Sequence, residues 1–388
     1  MRYWKTQISN DLPMPMPLFL INKASPLTAV ESATFSRVAD DPTALANQLR
    51  SFCSSADLLC FPDLTPTLEN NVDSQPYTDS NFTHWGNHPV ASRNYRSGNY
   101  APNTIVADPE FTTNGKGVSA QSFGFKTYGT FNGYGKINFS FSKYVKESIS
   151  SSMGMTTGRK GVDRYRWVEQ GKFFRERMLK TGTVMPMPDI KDKMPKRSFL
   201  PRVISSKLPF SMSKIKEMKK IFHARENTSM ASMIATAVSE CDRAPSTSET
   251  KQCVGSVEDM IDFSVSVLGH NVVVRATENT EGSKNKIMIG KVSRINNGKA
   301  STSVSCHQSL FPYLLYYCHS VPKVRVYEAD ILDPETKAKI NHGVAICHVD
   351  TSSWSAGHGA FVALGFGPGK IEVCHWIFEN DMIWAIDD

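Results

Sequence analysis

The chain has 388 residues, of which 40% are hydrophobic and 21% charged, and its formal net charge is +7. It contains no run of 18 apolar residues that could span a membrane, so we predict no membrane partner. The excess Lys and Arg residues are not interleaved with stacking aromatic residues, which argues against a nucleic-acid partner. In a cell wall the same charge would favour contact with acidic pectin.

Residues 1–66 are predicted to form a small helical segment. Pro26 follows Ser25 and Pro42 follows Asp41, which is the pattern of an N-cap residue and a proline in the first helical position. The first ten residues, "MRYWKTQISN", lack the apolar core of a signal peptide. We therefore expect either a cytosolic chain or a secreted chain without its signal peptide.

Residues 67–168 are rich in Ser, Asn, Gly and Thr, and we predict that they are flexible because they cannot bury enough apolar surface to offset chain entropy. A weak Phe-x-x-aromatic repeat occurs at Phe82–Trp85, Phe125–Tyr128, Phe131–Tyr134 and Phe141–Tyr144. In "NFTHWGNH", residues 81–88, Phe82, Trp85 and His88 recur at every third position. This stretch is either a degenerate copy of the repeat or a substrate segment.

Residues 169–388 show helical patterns followed by strand patterns. Three helices are predicted within residues 213–269, the last of them capped by Ser256 and ended by Gly269. Strands are then predicted in "NVVVRA", "KIMIGKV", "KVRVYEAD", "GVAICHV", "GAFVALGF", "KIEVCHWIF" and "MIWAI". This order favours an α+β fold with a mostly antiparallel sheet.

The chain has eight cysteines, an even number that we expect to form disulfides. They are Cys53, Cys60, Cys241, Cys253, Cys306, Cys318, Cys347 and Cys374. Three N-x-[ST] glycosylation sequons occur, at Asn81, Asn138 and Asn227. Paired cysteines together with sequons favour the secretory pathway.

Four Cys-His dipeptides stand out near the C-terminus: Cys306-His307, Cys318-His319, Cys347-His348 and Cys374-His375. Successive side chains of a strand point to opposite faces, so we predict disulfides on one face and gathered imidazoles on the other. An imidazole site suits copper, nickel, iron or zinc. A continuous helix would hold His307 and His319 about 18 Å apart, so a shared site requires a bend near Pro312.

Two alternatives stay open for this cysteine and histidine pattern. One is a disulfide framework with incidental histidines, and the other is a structural zinc site that uses Cys and His together, although the C-x-x-C spacing of zinc knuckles is absent. Three further residues are candidates for catalysis. Asp350 would act as a base or as a partner of a ligand, and His342 and His358 are secondary candidates, the latter in the Gly-containing loop "SAGHGAF".

The spacing CH-x10-CH-x27-CH-x25-CH resembles the signature of the BURP domain, a plant family, and the resemblance covers about residues 169–388. The stretches "RYWKTQISNDLP", "SFCSSADLLCFPDL" and "KFFRERMLKTGTVMPMPDIKDKMPKRSFLPR" are similar to one branch, the non-catalytic beta subunits of polygalacturonase. This branch implies a secreted, glycosylated cell-wall protein associated with a pectin-degrading enzyme. Its repeat region is usually much longer than the one in this chain.

The same resemblance implies a second function, since other BURP proteins are copper-dependent peptide cyclases. They use Cu(II) and dioxygen to crosslink a core peptide that often lies in their own N-terminal region, and members reach the apoplast, the cell wall or the vacuole. Phe82, Trp85 and His88 match the spacing of the three linked residues in moroidin-type cores, and "QPYTDSNF" is similar to the lyciumin pattern. We predict a self-modifying copper cyclase, with a non-catalytic polygalacturonase subunit as the alternative. The predicted copper ligands are His307, His319, His348 and His375.

Overall fold

The computed structural model describes residues 2–10, 24–60, 168, 170–192, 194–226, 228–245, 249–279 and 286–387. The Phe-x-x-aromatic repeats and both candidate core peptides, including Phe82, Trp85 and His88, lie outside these ranges. The three sequon residues Asn81, Asn138 and Asn227 also lie outside them. Within the described ranges, no helix is both long enough and apolar enough to cross a membrane.

The N-terminal part contains helices α1 (Arg2–Gln7), α2 (Ala29–Val38), α3 (Pro42–Asn47) and α4 (Leu49–Ala56). Thr28 caps α2 by accepting a hydrogen bond from the backbone of Glu31, whose carboxylate in turn accepts one from the backbone of Thr28. The predicted cap at Ser25 is therefore wrong, because this reciprocal capping box starts the helix later in the chain. Asp41 caps α3, with Pro42 at its first position, as predicted.

The C-terminal part contains helices α5 (Arg202–Ser205), α6 (Ile215–Ile221), α7 (Ser229–Asp242), α8 (Val257–Leu268) and α9 (Gly359–Leu364). The three predicted helices are present as α6, α7 and α8, and Ser256 caps α8 as predicted. The stretch "GAFVALGF" was predicted as a strand, but it forms α9. His358 caps the start of α9 and Gly365 ends it in the left-handed conformation, so local capping overrides the apolar pattern.

Ten strands of the described chain form one sheet: β1 (Val184–Pro186), β2 (Lys251–Val254), β3 (Val272–Arg275), β4 (Glu278–Asn279), β5 (Lys286–Arg294), β6 (Ser301–Ser309), β7 (Leu315–Leu332), β8 (Lys339–His348), β9 (Val373–Trp376) and β10 (Met382–Ile386). The strand pairings are antiparallel, which confirms the predicted α+β class. Strand β7 has 18 residues and is the centre of the sheet. It pairs with β2 and β6 along its first half and with β5 and β8 along its second half.

The N-terminal helices pack directly on the C-terminal region. Phe52 of α4 belongs to the same buried cluster as Ile234 of α7 and Phe311 of the β6–β7 connection. In addition, Trp4 of α1 packs on Trp384 of β10, with ring centroids 5.8 Å apart. Both N-terminal pieces therefore share their apolar cores with the sheet and its helices.

Candidate metal centre

All eight cysteines form disulfides, as their even number predicted. Cys53–Cys60 joins α4 to the residues just after it, and Cys241–Cys253 joins α7 to β2. The other two join residues that are directly opposite each other in neighbouring strands: Cys306 with Cys318 across β6 and β7, and Cys347 with Cys374 across β8 and β9. The Cα atoms of each cross-strand pair are 4.0 Å apart, and all four of these residues are fully buried.

Each histidine of the four dipeptides directly follows a disulfide-bonded cysteine, so its ring projects from the opposite face of the strand. Pro312 lies in the turn between β6 and β7, which brings His307 and His319 together with ring centroids 5.5 Å apart. His348 and His375 meet in the same way across β8 and β9, and their Nε2 atoms are 3.3 Å apart. The structure thus arranges the four histidines as two diagonal pairs.

The two pairs are also close enough for the charges of one pair to affect the pKa values of the other. Burial, together with the charges of His319, His358 and His307, lowers the pKa of His348 to about 3. Burial likewise holds the pKa of His375 well below its ordinary range, with His348 and His307 among the charged groups that act on it. These rings are therefore neutral at pH 7, and neutral imidazole is the form that binds metal ions.

In two of the rings, hydrogen-bond acceptors determine which nitrogen carries the proton. His307 Nδ1 donates to Asp381 Oδ2 at 3.2 Å, and the carboxylate of this buried Asp also accepts the backbone N–H of Gln308. His375 Nδ1 donates to the carbonyl oxygen of Trp376 at 3.3 Å. Each bond keeps the proton on Nδ1 and the lone pair on Nε2, which is the usual arrangement of metal-binding histidines.

Glu249 lies beside His319 in the way that Asp381 lies beside His307. Its Oε1 atom lies 3.5 Å from His319 Nδ1 and also accepts a hydrogen bond of 2.6 Å from the Tyr317 hydroxyl. Arg243 forms an ion pair with the same carboxylate at 3.1 Å. Sequence reasoning missed both Glu249 and Asp381, because they are distant in the chain from their histidines and no local motif marks them.

Three more side chains border the histidines. The ring centroid of Trp354 lies 4.8 Å from that of His348 and 4.4 Å from that of His358. The ring centroid of Phe173 lies 5.5 Å from that of His358 and 6.4 Å from that of His375. Of the secondary candidates from the sequence, His358 therefore belongs to this group of rings, whereas Trp354 and Phe173 had no sequence signal.

The other two candidates make different contacts. His342 Nδ1 lies 3.2 Å from Asp330, and its Nε2 lies 3.4 Å from Glu328, which raises the pKa of His342 above its ordinary value. It occupies β8 six positions before His348, or about 20 Å along the strand. Asp350 is exposed and pairs with Lys323 at 2.7 Å, and hydrogen bonding to that ammonium lowers the pKa of Asp350.

The residues present fit a metal that prefers imidazole, although within the described ranges no three His, Cys, Asp or Glu side chains are already arranged as a complete metal site. The Nε2 atoms of His348 and His375 are 3.3 Å apart. Two nitrogens at about 2.0–2.1 Å from one ion, at a tetrahedral angle, are roughly 3.3–3.4 Å apart. This pair is therefore spaced as two ligands of one ion. A zinc site that uses Cys and His together does not fit, because the cysteines are in disulfides.

Comparison with known proteins gives concordant matches. The family model for the BURP domain matches residues 172–386. The chain is 43% identical to the polygalacturonase-1 non-catalytic subunit beta of Solanum lycopersicum, over an alignment of 591 positions that covers 100% of this chain and 93% of that protein. It is 65% identical to polygalacturonase 1 beta-like protein 1 of Arabidopsis thaliana over 259 residues, 67% of this chain and 40% of that protein. It is also 52% identical to BURP domain-containing protein 12 of Oryza sativa subsp. japonica over 273 residues, 68% of this chain and 43% of that protein.

Proposed function

The chain belongs to the BURP domain family, and from this premise we propose that it is a non-catalytic cell-wall protein that binds a polygalacturonase. One observation carries the proposal: the likeness to a relative named as a non-catalytic polygalacturonase subunit covers the whole of this chain. It includes the N-terminal helices as well as the sheet.

Two structural features support a role outside the cytosol. Four disulfides suit an oxidising compartment such as the secretory pathway and the apoplast. The net charge of +7 attracts acidic polysaccharides, so the protein would be retained near its partner's pectin substrate. The N-terminal helices, packed on the same cores as the sheet, would present one continuous body to a partner.

The test is binding of the purified chain to a polygalacturonase and, separately, to polygalacturonate. We expect binding to the enzyme, and we expect it to survive replacement of His307, His319, His348 and His375 by Ala in a folded protein. Binding to the polysaccharide should weaken steeply with added salt because it is electrostatic. Absence of enzyme binding at micromolar concentrations would refute the proposal.

A second candidate function is a copper-dependent oxidative cyclase that acts on its own peptide, and the two histidine pairs favour it. Copper, unlike zinc, supplies redox chemistry when bound at imidazoles. The buried rings would hold the ion, with Asp381 keeping His307 in the ligand tautomer. The substrate residues would be Phe82, Trp85 and His88. Each crosslink between them removes two hydrogens, whose electrons dioxygen accepts.

Peptide mass mapping with and without Cu(II) in air tests this candidate. A crosslink lowers the mass of the peptide that ends at Arg93 by about 2 Da, the mass of two hydrogens. Trp85→Ala should abolish the mass loss without changing the unfolding transition. An unchanged mass in protein shown to contain copper would contradict the cyclase activity while leaving the binding function intact.

A further inference from the structure

We propose that Phe366 and the cations beside it form a binding surface for an acidic polysaccharide, in which the Phe366 ring stacks on the apolar face of a uronic-acid unit and Lys370 pairs with a carboxylate. The inference rests on the proposed function, because it assigns residues to the polygalacturonate binding described there. The net charge of +7 accounts for attraction to such a polymer but specifies no site for it.

Phe366 differs from the other aromatic residues in its exposure. It is 55% exposed and is the one aromatic residue among the large apolar side chains that lie exposed within the described ranges. Gly365 ends α9 in the left-handed conformation, so Phe366 belongs to the loop that follows and not to the helix face that packs on the core. A single exposed apolar residue is common in folded proteins, so the contacts of this ring decide whether it has a function.

Arg175 covers one face of the Phe366 ring. Its guanidinium carbon lies over the ring, 5.5 Å from the centroid, which is within the range of a cation–π contact. Glu372 holds this guanidinium by two hydrogen bonds of 2.9 and 2.8 Å, and the same carboxylate accepts the backbone N–H of Glu176 at 3.2 Å. Arg175 is thus fixed against the ring, and the exposed area of Phe366 remains open to a ligand.

Hydrogen bonds also hold the loop that carries the ring. The carbonyl oxygen of Gly367 accepts the backbone N–H of Lys370 at 3.2 Å, which closes a turn. The backbone N–H of Gly369 donates to the hydroxyl of Thr351 at 3.1 Å, and Thr351 is fully buried. Phe366 is therefore presented by an anchored loop, so binding of a ligand would require little ordering of the chain.

The charges of this region leave an excess of cations. Arg175 neutralises Glu372, and Arg325 neutralises Glu176 through an ion pair of 2.9 Å. The Phe366 loop and the segment that contains Arg175 hold further cations, which are exposed and form no ion pair in the part of the chain that the structure describes: Arg177, Lys180 and Lys370. An acidic ligand would supply the carboxylates that these cations lack.

Lys370 is placed to reach a carboxylate next to the ring. A turn keeps the Cα atoms of its first and last residues, here Gly367 and Lys370, within about 7 Å, so the Cα atoms of Lys370 and Phe366 lie within about 11 Å. In a polymer of uronic acids every sugar carries a carboxylate. A sugar stacked on Phe366 therefore brings carboxylates within the range of the long Lys370 side chain.

The combination of an aromatic ring and cations selects the class of ligand. The face of an aromatic ring is negative, and it attracts the C–H groups on one face of a sugar ring. A neutral sugar would use the ring but not the cations, whereas a simple polyanion would use the cations but not the ring. A uronic-acid polymer such as polygalacturonate uses both.

Matched variants separate the two contributions. Phe366→Ala removes the ring, and Phe366→Trp should restore binding because it keeps an aromatic face. Val203→Ala is the control for the ring, since Val203 is also 55% exposed and lies on α5. Lys370→Gln removes one cation. Lys214→Gln is its control, because Lys214 is exposed and forms no ion pair within the described ranges.

Calorimetric titration of the full chain with polygalacturonate at several salt concentrations measures both contributions. We expect Phe366→Ala to raise the dissociation constant about 5- to 50-fold, the range for loss of an aromatic stacking contact, without changing its dependence on salt. Lys370→Gln should raise the constant less and should weaken its dependence on salt, because it removes an ionic contact. Both controls should stay within about twofold of the wild type, since salt screens distant charges. Polyglutamate, an anion without sugar rings, should bind the wild type and Phe366→Ala equally.

Equal polygalacturonate affinities of Phe366→Ala and Val203→Ala would overturn the inference and leave the proposed function standing. Failure of Phe366→Trp to bind better than Phe366→Ala would show that stacking is not the contact, and would overturn it as well. Equal affinities of Lys370→Gln and Lys214→Gln would refute the role of Lys370. If the wild type binds no polygalacturonate, this inference fails together with the polysaccharide part of the proposed function, whereas binding to the enzyme is measured separately.

Discussion

The Nε2 atoms of His348 and His375 lie 3.3 Å apart across two strands that are joined by the Cys347–Cys374 disulfide. Because the two cysteines are directly opposite in the ladder, the residues that follow them are diagonal neighbours on the other face. The dipeptides of β6 and β7 are arranged in the same way, and the ring centroids of His307 and His319 are 5.5 Å apart. Two Cys-His dipeptides whose cysteines are directly opposite in adjacent antiparallel strands thus form an imidazole pair.

If the His348–His375 pair binds copper as proposed, His375→Ala should weaken copper binding by more than about 100-fold, since it would remove a ligand and not merely an outer partner. Competition against a chelator of known copper affinity measures the change. His342→Ala is the control, because His342 contacts Asp330 and Glu328 rather than the histidine pairs. Equal affinities for the two variants would contradict a metal site at this pair.

Asp381→Asn should weaken copper binding by about 10- to 100-fold, the usual cost of removing an outer-shell partner of a ligand. The carboxylate orients His307 through Nδ1 at 3.2 Å, and an amide is a weaker acceptor. Asn retains an oxygen for the backbone N–H of Gln308, so the fold is maintained. A folded variant with wild-type copper affinity would show that His307 is not a ligand.

Removal of the Cys347–Cys374 bond by Ala at both positions should cost about 3–4 kcal/mol of unfolding free energy, given a sequence separation of 27 residues. It should also weaken copper binding, because the bond aligns His348 with His375. Urea denaturation and chelator competition measure the two effects. The Cys53–Cys60 bond, with a separation of 7 residues, is the control. Removal of the Cys53–Cys60 bond should lower the free energy of unfolding without changing copper affinity. An equal loss of copper affinity in this control would mean that loss of either disulfide perturbs the whole protein and not specifically the histidine pair.

The free energy of unfolding of the metal-free protein should fall as the pH is lowered from about 6.5 towards 4. Burial lowers the pKa of His348 to about 3 from an ordinary 6.5, so in this window the unfolded chain takes up a proton that the folded ring does not. One such histidine contributes about 1.4 kcal/mol per pH unit. His348→Gln should therefore reduce the slope by about one proton.

Urea denaturation at several pH values gives this slope for the wild type and for His348→Gln. Burial raises the pKa of Glu240 to about 7, so Glu240 makes the free energy of unfolding rise as the pH falls. This contribution is the same in the wild type and in His348→Gln, and it cancels in the comparison. His270→Gln should keep the wild-type slope. An unchanged slope in His348→Gln would mean that His348 is hydrated and protonates freely in the folded protein.

Local signals predicted part of this fold correctly. Helices α6 to α8 follow from their apolar spacing, and the cap at Ser256 from its own chemistry. Strand β6, "STSVSCHQS", was not predicted, because its serines lack the apolar and β-branched character of a typical strand. It is a strand because β7 and β10 pair with it on both sides. The α9 error has a different, local origin, because the N-cap hydrogen bond of one side chain, His358, outweighed the apolar run.

The sequence by itself determined that sulfur and imidazole separate in "GVAICHV" and "KIEVCHWIF", because both stretches read as strands and neighbouring side chains of a strand point to opposite faces. Only the tertiary structure decided that Cys306 pairs with Cys318 and Cys347 with Cys374, because strand register depends on the packing of the whole sheet. It also supplied Asp381, whose contact with His307 spans 74 residues of chain. Residues so far apart become neighbours only through the cooperative burial of the core, which no local pattern encodes.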